Sequence, residues 1–292
     1  MTDPQSLAFR TTSPKAAFLL MAAALATPAT GVAGQAALVE PLGTHQETLS
    51  WSDDSYAEVS LTDAFPSGVL FGGTVYTSMY ISTNGYVTFG HPNASYDPDG
   101  IAGYTQGPII AAQFDDWDPS RGGDIYYAQS AGGSGRDAYA LVTWQNGLPY
   151  TGPVVGSGTN TVQILLRRVG DGSSQDFQIE LRYVDLGWSG GAPGGSAYST
   201  AGWSFGDQQT YSELPHSGLS TFLETESESN VGTTGVYRWD VGGGEVASTP
   251  TVTSTTGASS VTGSTAETGG SISNSGGSPV TDRGVVYATT ST

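Results

Sequence analysis

The sequence predicts a mainly β fold, antiparallel and sandwich-like, with short helical turns and no long helix. Composition points there: of 292 residues, 42 are Gly and 15 Pro, and only 12% are charged, which suits strands joined by turns. So does the stretch Tyr80-Ile81-Ser82-Thr83-Asn84-Gly85-Tyr86-Val87-Thr88-Phe89-Gly90. It is two alternating segments meeting at Asn-Gly, the pair selected by a type I′ hairpin turn because both central residues need positive φ. A third sign is the recurrence of apolar and aromatic bursts between turn clusters from Trp51 to Val241.

Taken in order, residues 69–75, 79–83, 86–89, 124–129, 138–144, 161–169, 177–184, 201–205 and 236–241 read as strands. The continuous apolar run Gln163-Ile164-Leu165-Leu166 fits a buried central strand, with helix as the alternative. Residues 108–114 fit a strand or one helical turn, and residues 220–224 a short helix. A core of this extent is affordable to a chain that is 37% hydrophobic.

The first 34 residues read as a secretory signal peptide. Arg10 and Lys15 precede an apolar run over 16–26 that ends before Pro28, and small residues follow to Gly34. The run is shorter than the roughly 20 apolar residues a membrane span needs. A buried N-terminal helix is the rival reading, opposed by Pro14 and by the composition of 27–34. The expected location is therefore secreted or cell surface, with no integral membrane segment after signal removal.

The chain carries 27 acids against 9 bases, a net charge of −18. Loss of residues 1–34 removes two bases and one acid, including Lys15, the one lysine. Such a balance repels nucleic acid and anionic lipid, and favours divalent cations or basic partners. There are no cysteines, which excludes disulfides, thiolate metal sites and cysteine nucleophiles.

Residues 35–50 read as a polar lead-in, 51–241 as the domain and 242–248 as a Gly-rich linker. Beyond it, 249–292 is Thr/Ser/Gly-rich. This is either a low-complexity tail or the opening of a bacterial immunoglobulin- or fibronectin-like repeat, with 284–287 as a strand. The repeat would be incomplete, since such a sandwich takes roughly 100 residues.

From Phe65 to Val241 an ordered series of motifs resembles the NIDO (nidogen-like) extracellular domain. It begins with Phe71-Gly72-Gly73 and the hairpin, then Pro108-Ile109-Ile110-Ala111-Ala112-Gln113-Phe114-Asp115-Asp116-Trp117-Asp118 and Ile125-Tyr126-Tyr127. Leu141-Val142-Thr143-Trp144-Gln145-Asn146, Asn160-Thr161-Val162-Gln163-Ile164-Leu165-Leu166 and Phe177-Gln178-Ile179-Glu180-Leu181-Arg182-Tyr183 with Gly187-Trp188 follow. Ser229-Asn230-Val231-Gly232 to Trp239 closes it. The resemblance implies an extracellular module without a catalytic role, used in cell–matrix or cell–cell adhesion, and names no ligand.

For chemistry, the strongest cluster runs from Asp115 to Asp124. Asp115, Asp116, Asp118 and Asp124, with carbonyls of the Gly-rich loop, are the expected ligands of a calcium ion; the alternative is Asx turns or contact with Arg121. Gly187-Trp188-Ser189-Gly190-Gly191 matches the nucleophile-elbow pattern, but Gly and Pro follow where that motif needs a helix. Glu180, Glu224, Glu226 and Glu228 allow carboxylate pairs, while His45, His91 and His216 have no ligand spacing. Trp117, inside the acidic loop, is the aromatic ring expected to be exposed. The functional expectation is a non-catalytic adhesion or surface-scaffold protein docking an extracellular protein or a glycan; the alternative is a carbohydrate-binding module of a secreted enzyme.

Overall fold

Few stretches of this chain run long without Gly, Pro, Asn or Asp, so strands stay short and turns frequent. A computed structural model describes residues 7–10, 36–39, 47–48, 52–97, 100–133, 137–150, 154–190, 198–246, 251–259 and 265–274. In chain order the strands are β1 (Leu7–Arg10), β2 (Glu47–Thr48), β3 (Tyr56–Ser60), β4 (Val69–Phe71), β5 (Thr74–Tyr76), β6 (Ser78–Ser82) and β7 (Tyr86–Thr88). They continue as β8 (Ile109–Phe114), β9 (Asp124–Ser130), β10 (Tyr139–Gly147), β11 (Val155–Arg168) and β12 (Phe177–Ser189). The last are β13 (Thr200–Ser204), β14 (Tyr211–Glu213), β15 (Val236–Gly242), β16 (Glu245–Val246), β17 (Thr251–Ser259) and β18 (Thr265–Asn274). The helical content among the described residues is two 3-10 turns, Pro119–Arg121 and Phe222–Ser227. No helix there is long and apolar enough to cross a membrane.

The chain divides into two compact units, one of residues 29–245 and one of residues 1–28 with 246–292. The second contains an antiparallel sheet in the order β1-β18-β17. The apolar run 16–26 and the expected strand at 284–287 lie outside the described residues.

The larger unit holds a seven-stranded sheet, β16-β15-β12-β11-β10-β9-β2, and a six-stranded one, β14-β13-β8-β7-β6-β3. The pairs are antiparallel, with Leu141 opposite Leu165 and Leu165 opposite Glu180 at the centre of the larger sheet. The two sheets meet through aromatic rings, as burial of large planar side chains favours. Phe71 contacts Phe177 of β12 at 5.7 Å, and Phe89 and Trp203 from the other side at 5.4 and 6.4 Å. Tyr183 donates to the Ala112 carbonyl at 2.6 Å, and Trp144 Nε1 to the Ser82 carbonyl at 3.1 Å, so polar tips cross the same interface.

The run at 163–166 is a buried strand in the middle of β11, and 109–114 form β8, whose residues are all buried. Its outer face is covered by the loop that brings Ile101 and Tyr104 against Tyr86, Ile109, Ala111 and Phe114.

Four local expectations change. Residues 69–75 are not one strand: β4 and β5 form a hairpin whose turn residues, Gly72 and Gly73, have φ of 57° and 77°. That is the positive-φ pair a two-residue primed turn requires. The Asn84-Gly85 hairpin is wider, because Ile81 faces Val87 and only Gly85 has positive φ. A three-residue loop ending in a left-handed glycine accounts for both. The glycines read as a linker instead turn β15 into β16, with Gly243 N donating to Asp176 Oδ1 at 2.9 Å. The lead-in also packs down: Val39 N donates to Gln163 Oε1, and Val39 covers Leu141 and Leu165.

Candidate functional site

Three connections meet where the six-stranded sheet ends: the turn at Asp53-Asp54 before β3, the β6–β7 turn, and residues 115–118 after β8. Asn84, fully buried, ties them together. Its Nδ2 donates to Asp54 Oδ1 at 2.9 Å and to the carbonyls of Ala94 and Ser95, each at 3.2 Å. Its Oδ1 accepts from Trp117 N at 3.1 Å. Asp54 has φ of 48°, a left-handed conformation that aspartate tolerates better than most residues.

Within this junction one carboxylate oxygen each of Asp53, Asp54 and Asp116 lies within 4.8 Å of the others. Asp116 is 3% exposed, yet its carboxylate accepts no hydrogen bond from any described residue. Asp53 Oδ1 is likewise buried and unpartnered. Burial, then the negative charges of Asp54, Asp53, Asp115 and Asp118, push the Asp116 carboxyl up to about 7. Burial and the charges of Asp54 and Asp118 raise Asp53 as well. Unpaired oxygens and mutual repulsion are the conditions under which a carboxylate cluster attracts a hard cation.

Of the four aspartates expected as ligands, the cluster takes Asp116. Asp115 is held elsewhere, accepting from Asp116 N at 2.8 Å, Gly190 N at 2.9 Å and the Ser199 hydroxyl; burial raises its pKa. Asp118 caps the 3-10 turn, accepting from Ser120 N and Oγ at 2.9 and 2.5 Å. Asp124 sits in β9 and accepts from Tyr126 at 3.1 Å. Asp53 and Asp54 were missing from the sequence reading. Their one signal is that they repeat the Asp-Asp doublet of 115–116, some 60 residues earlier.

Trp117 is not the exposed ring expected. It is 2% exposed, packs against Trp188 at 5.2 Å, and donates from Nε1 to the Gln113 carbonyl at 3.1 Å. Gly147 explains the fit, since a Cβ there would stand 2.3 Å from the Trp117 ring. Ser189 is buried too, its hydroxyl accepting from Ser199 N at 3.2 Å and lying 3.0 Å from Ser199 Oγ. His216 belongs to a different group, bonded to Thr221 and 3.3 Å from Glu228. Glu180, fully buried, is gripped by Arg182 at 2.6 Å and Arg238 at 2.5 and 2.9 Å. Burial pushes its pKa up, but those two arginines outweigh burial and leave it below its ordinary value. Glu226 accepts from Leu186 N at 2.9 Å.

The sequence model of a family described as NIDO related matches residues 35–273. The chain belongs to the NIDO-related family. The match begins in the lead-in and passes the glycines at 242–244, a wider span than the motif series. This NIDO-related chain is also similar to Dendrite extension defective protein 1 of Caenorhabditis elegans, 24% identical over 191 residues. That alignment covers 59% of this chain and 16% of the relative, so the chain spans about a sixth of that protein's length. No solved structure matches. The family match embraces the junction at Asp53, Asn84 and Asp116 and the six-stranded sheet whose connections build it.

Proposed function

We propose that this chain is a non-catalytic extracellular module that docks a matrix or cell-surface partner through loops carried on its two-sheet body. The observation that carries the reading is the NIDO-related match over 35–273, joined to the similarity to a protein named for defective dendrite extension. Three features support it. The loops project from a body locked by aromatic rings and buried polar ties, the arrangement in which loops bind while the scaffold stays rigid. Ser189 and Glu180, two of the residues weighed for catalysis in the sequence, are buried and engaged by Ser199 and by two arginines. The net charge of −18 favours a partner with a basic surface over an anionic polymer. A glycan partner has less support, because the ring that would stack on a sugar, Trp117, is inside.

Wells coated with the purified chain and challenged with intact cells test this. Cell retention above that on an equally acidic control protein is expected, falling when salt is raised to about 0.5 M because exposed charges are then screened. Retention equal to the control overturns the reading.

A further inference from the structure

We propose that Asp53, Asp54 and Asp116 together bind one divalent cation of the calcium class, which clamps the turn before β3 to the loop after β8.

The same loop shows what a purely structural aspartate looks like in this protein. Asp115 is satisfied by three donors and Asp118 by the backbone and hydroxyl of Ser120. Asp116, between them in sequence and nearly as buried, takes none, and it faces two further carboxylates, one of which has its own buried, unpartnered oxygen. No described arginine reaches the cluster: Arg121 turns to the Pro149 carbonyl, and Arg167, Arg182 and Arg238 gather around Glu180. A fold that satisfies its other buried acids leaves the Asp116 carboxylate without a donor, beside the unpartnered Oδ1 of Asp53 and the Asp54 carboxylate held by Asn84.

Donor type points to the kind of cation. Three carboxylates suit calcium, which takes six to eight oxygens with water completing the set, better than magnesium, which dehydrates reluctantly and uses one or two carboxylates. Asn84 fixes Asp54 through Nδ2 and Trp117 N through Oδ1, so both sides of the site are positioned by one side chain. The inference does not depend on what the module docks.

Calorimetric titration and thermal unfolding of the whole chain, first stripped with chelator, test it. Calcium is expected to bind with a Kd of about 0.1–1 mM, the range of extracellular modules. The unfolding midpoint should then rise by about 3–6 °C at about 10 mM calcium, and magnesium should act more weakly. Asp54→Asn and Asp116→Asn should each unfold at a higher temperature than the parent in chelator, because a like charge is gone, and should lose the calcium shift. Asp185→Asn, an exposed acid on β12, should keep it. No heat and no shift with calcium overturns the proposal. So does a full shift in Asp54→Asn and Asp116→Asn, or an equal loss in Asp185→Asn, which would mean general charge screening.

Discussion

Asn84 and Gly85 are neighbours with opposite tasks. Asn84 makes contacts that join three pieces of chain, whereas Gly85 is required by the absence of a side chain. The Gly85 carbonyl accepts from Ala112 N and Gln113 N, and a Cβ at Gly85, whose φ is 81°, would stand 1.8 Å from the Gln113 carbonyl. Gly73 has almost the same φ, 77°, with open space around it. Gly73→Ala should therefore cost about 1 kcal/mol, the left-handed penalty alone. Gly85→Ala should cost about 3–4 kcal/mol, because overlap with backbone is added. Denaturant unfolding of the two variants side by side separates the terms. Glu180 supports a prediction about acid. Its folded-state pKa lies below its ordinary 4.5, so the unfolded chain takes up the proton first as pH falls. Its contribution is full above about pH 4.5 and lost as pH drops through the lower folded value. Glu180→Gln should reduce stability near pH 7 by about 1–3 kcal/mol and flatten the acid arm of a midpoint-against-pH curve below 4.5.

Strands and connections show where pattern is a good guide. The centres of β10 and β12 are visible because apolar residues run together in strands covered on both faces, whereas the continuous apolar runs in β8 and β11 leave a helix open, since such a run carries no period. Strand ends are not visible: β11 begins at Val155 and β12 runs to Ser189, through Gly-rich sequence that looks like loop. The edge strand β3 alternates exposed and inward residues and carries Glu58 outward, a pattern too short and polar to stand out, yet suited to a protected edge. The lead-in is part of the packed body, although its polar sequence gives no sign of it. Ala36 N bonds the Thr234 carbonyl, the Ala37 carbonyl accepts from Arg182, and Val39 covers Leu141 and Leu165. A chain beginning at residue 44 should lose about 2–4 kcal/mol, from three backbone bonds and uncovered apolar surface. Its midpoint against the full chain checks this.

The chain carries a strong acid excess on antiparallel sheets, and both properties are legible in the sequence. Composition alone sets the charge of −18 and the absence of cysteine chemistry; alternation and turn residues set the antiparallel strands, since each is a local property of neighbouring residues. The ordered motifs also led to the family that the match over 35–273 establishes. Tertiary structure decided which acids meet. Asp53 and Asp116 are far apart along the chain, and it is the pairing of β3 with β6, β6 with β7 and β7 with β8 that carries their ends to one place. It decided, too, that Trp117 turns inward, because the room for its ring is made by Gly147 on another strand. Periodicity reports which face of an element is buried; only the closing of distant strands on one another determines which side chains share a space.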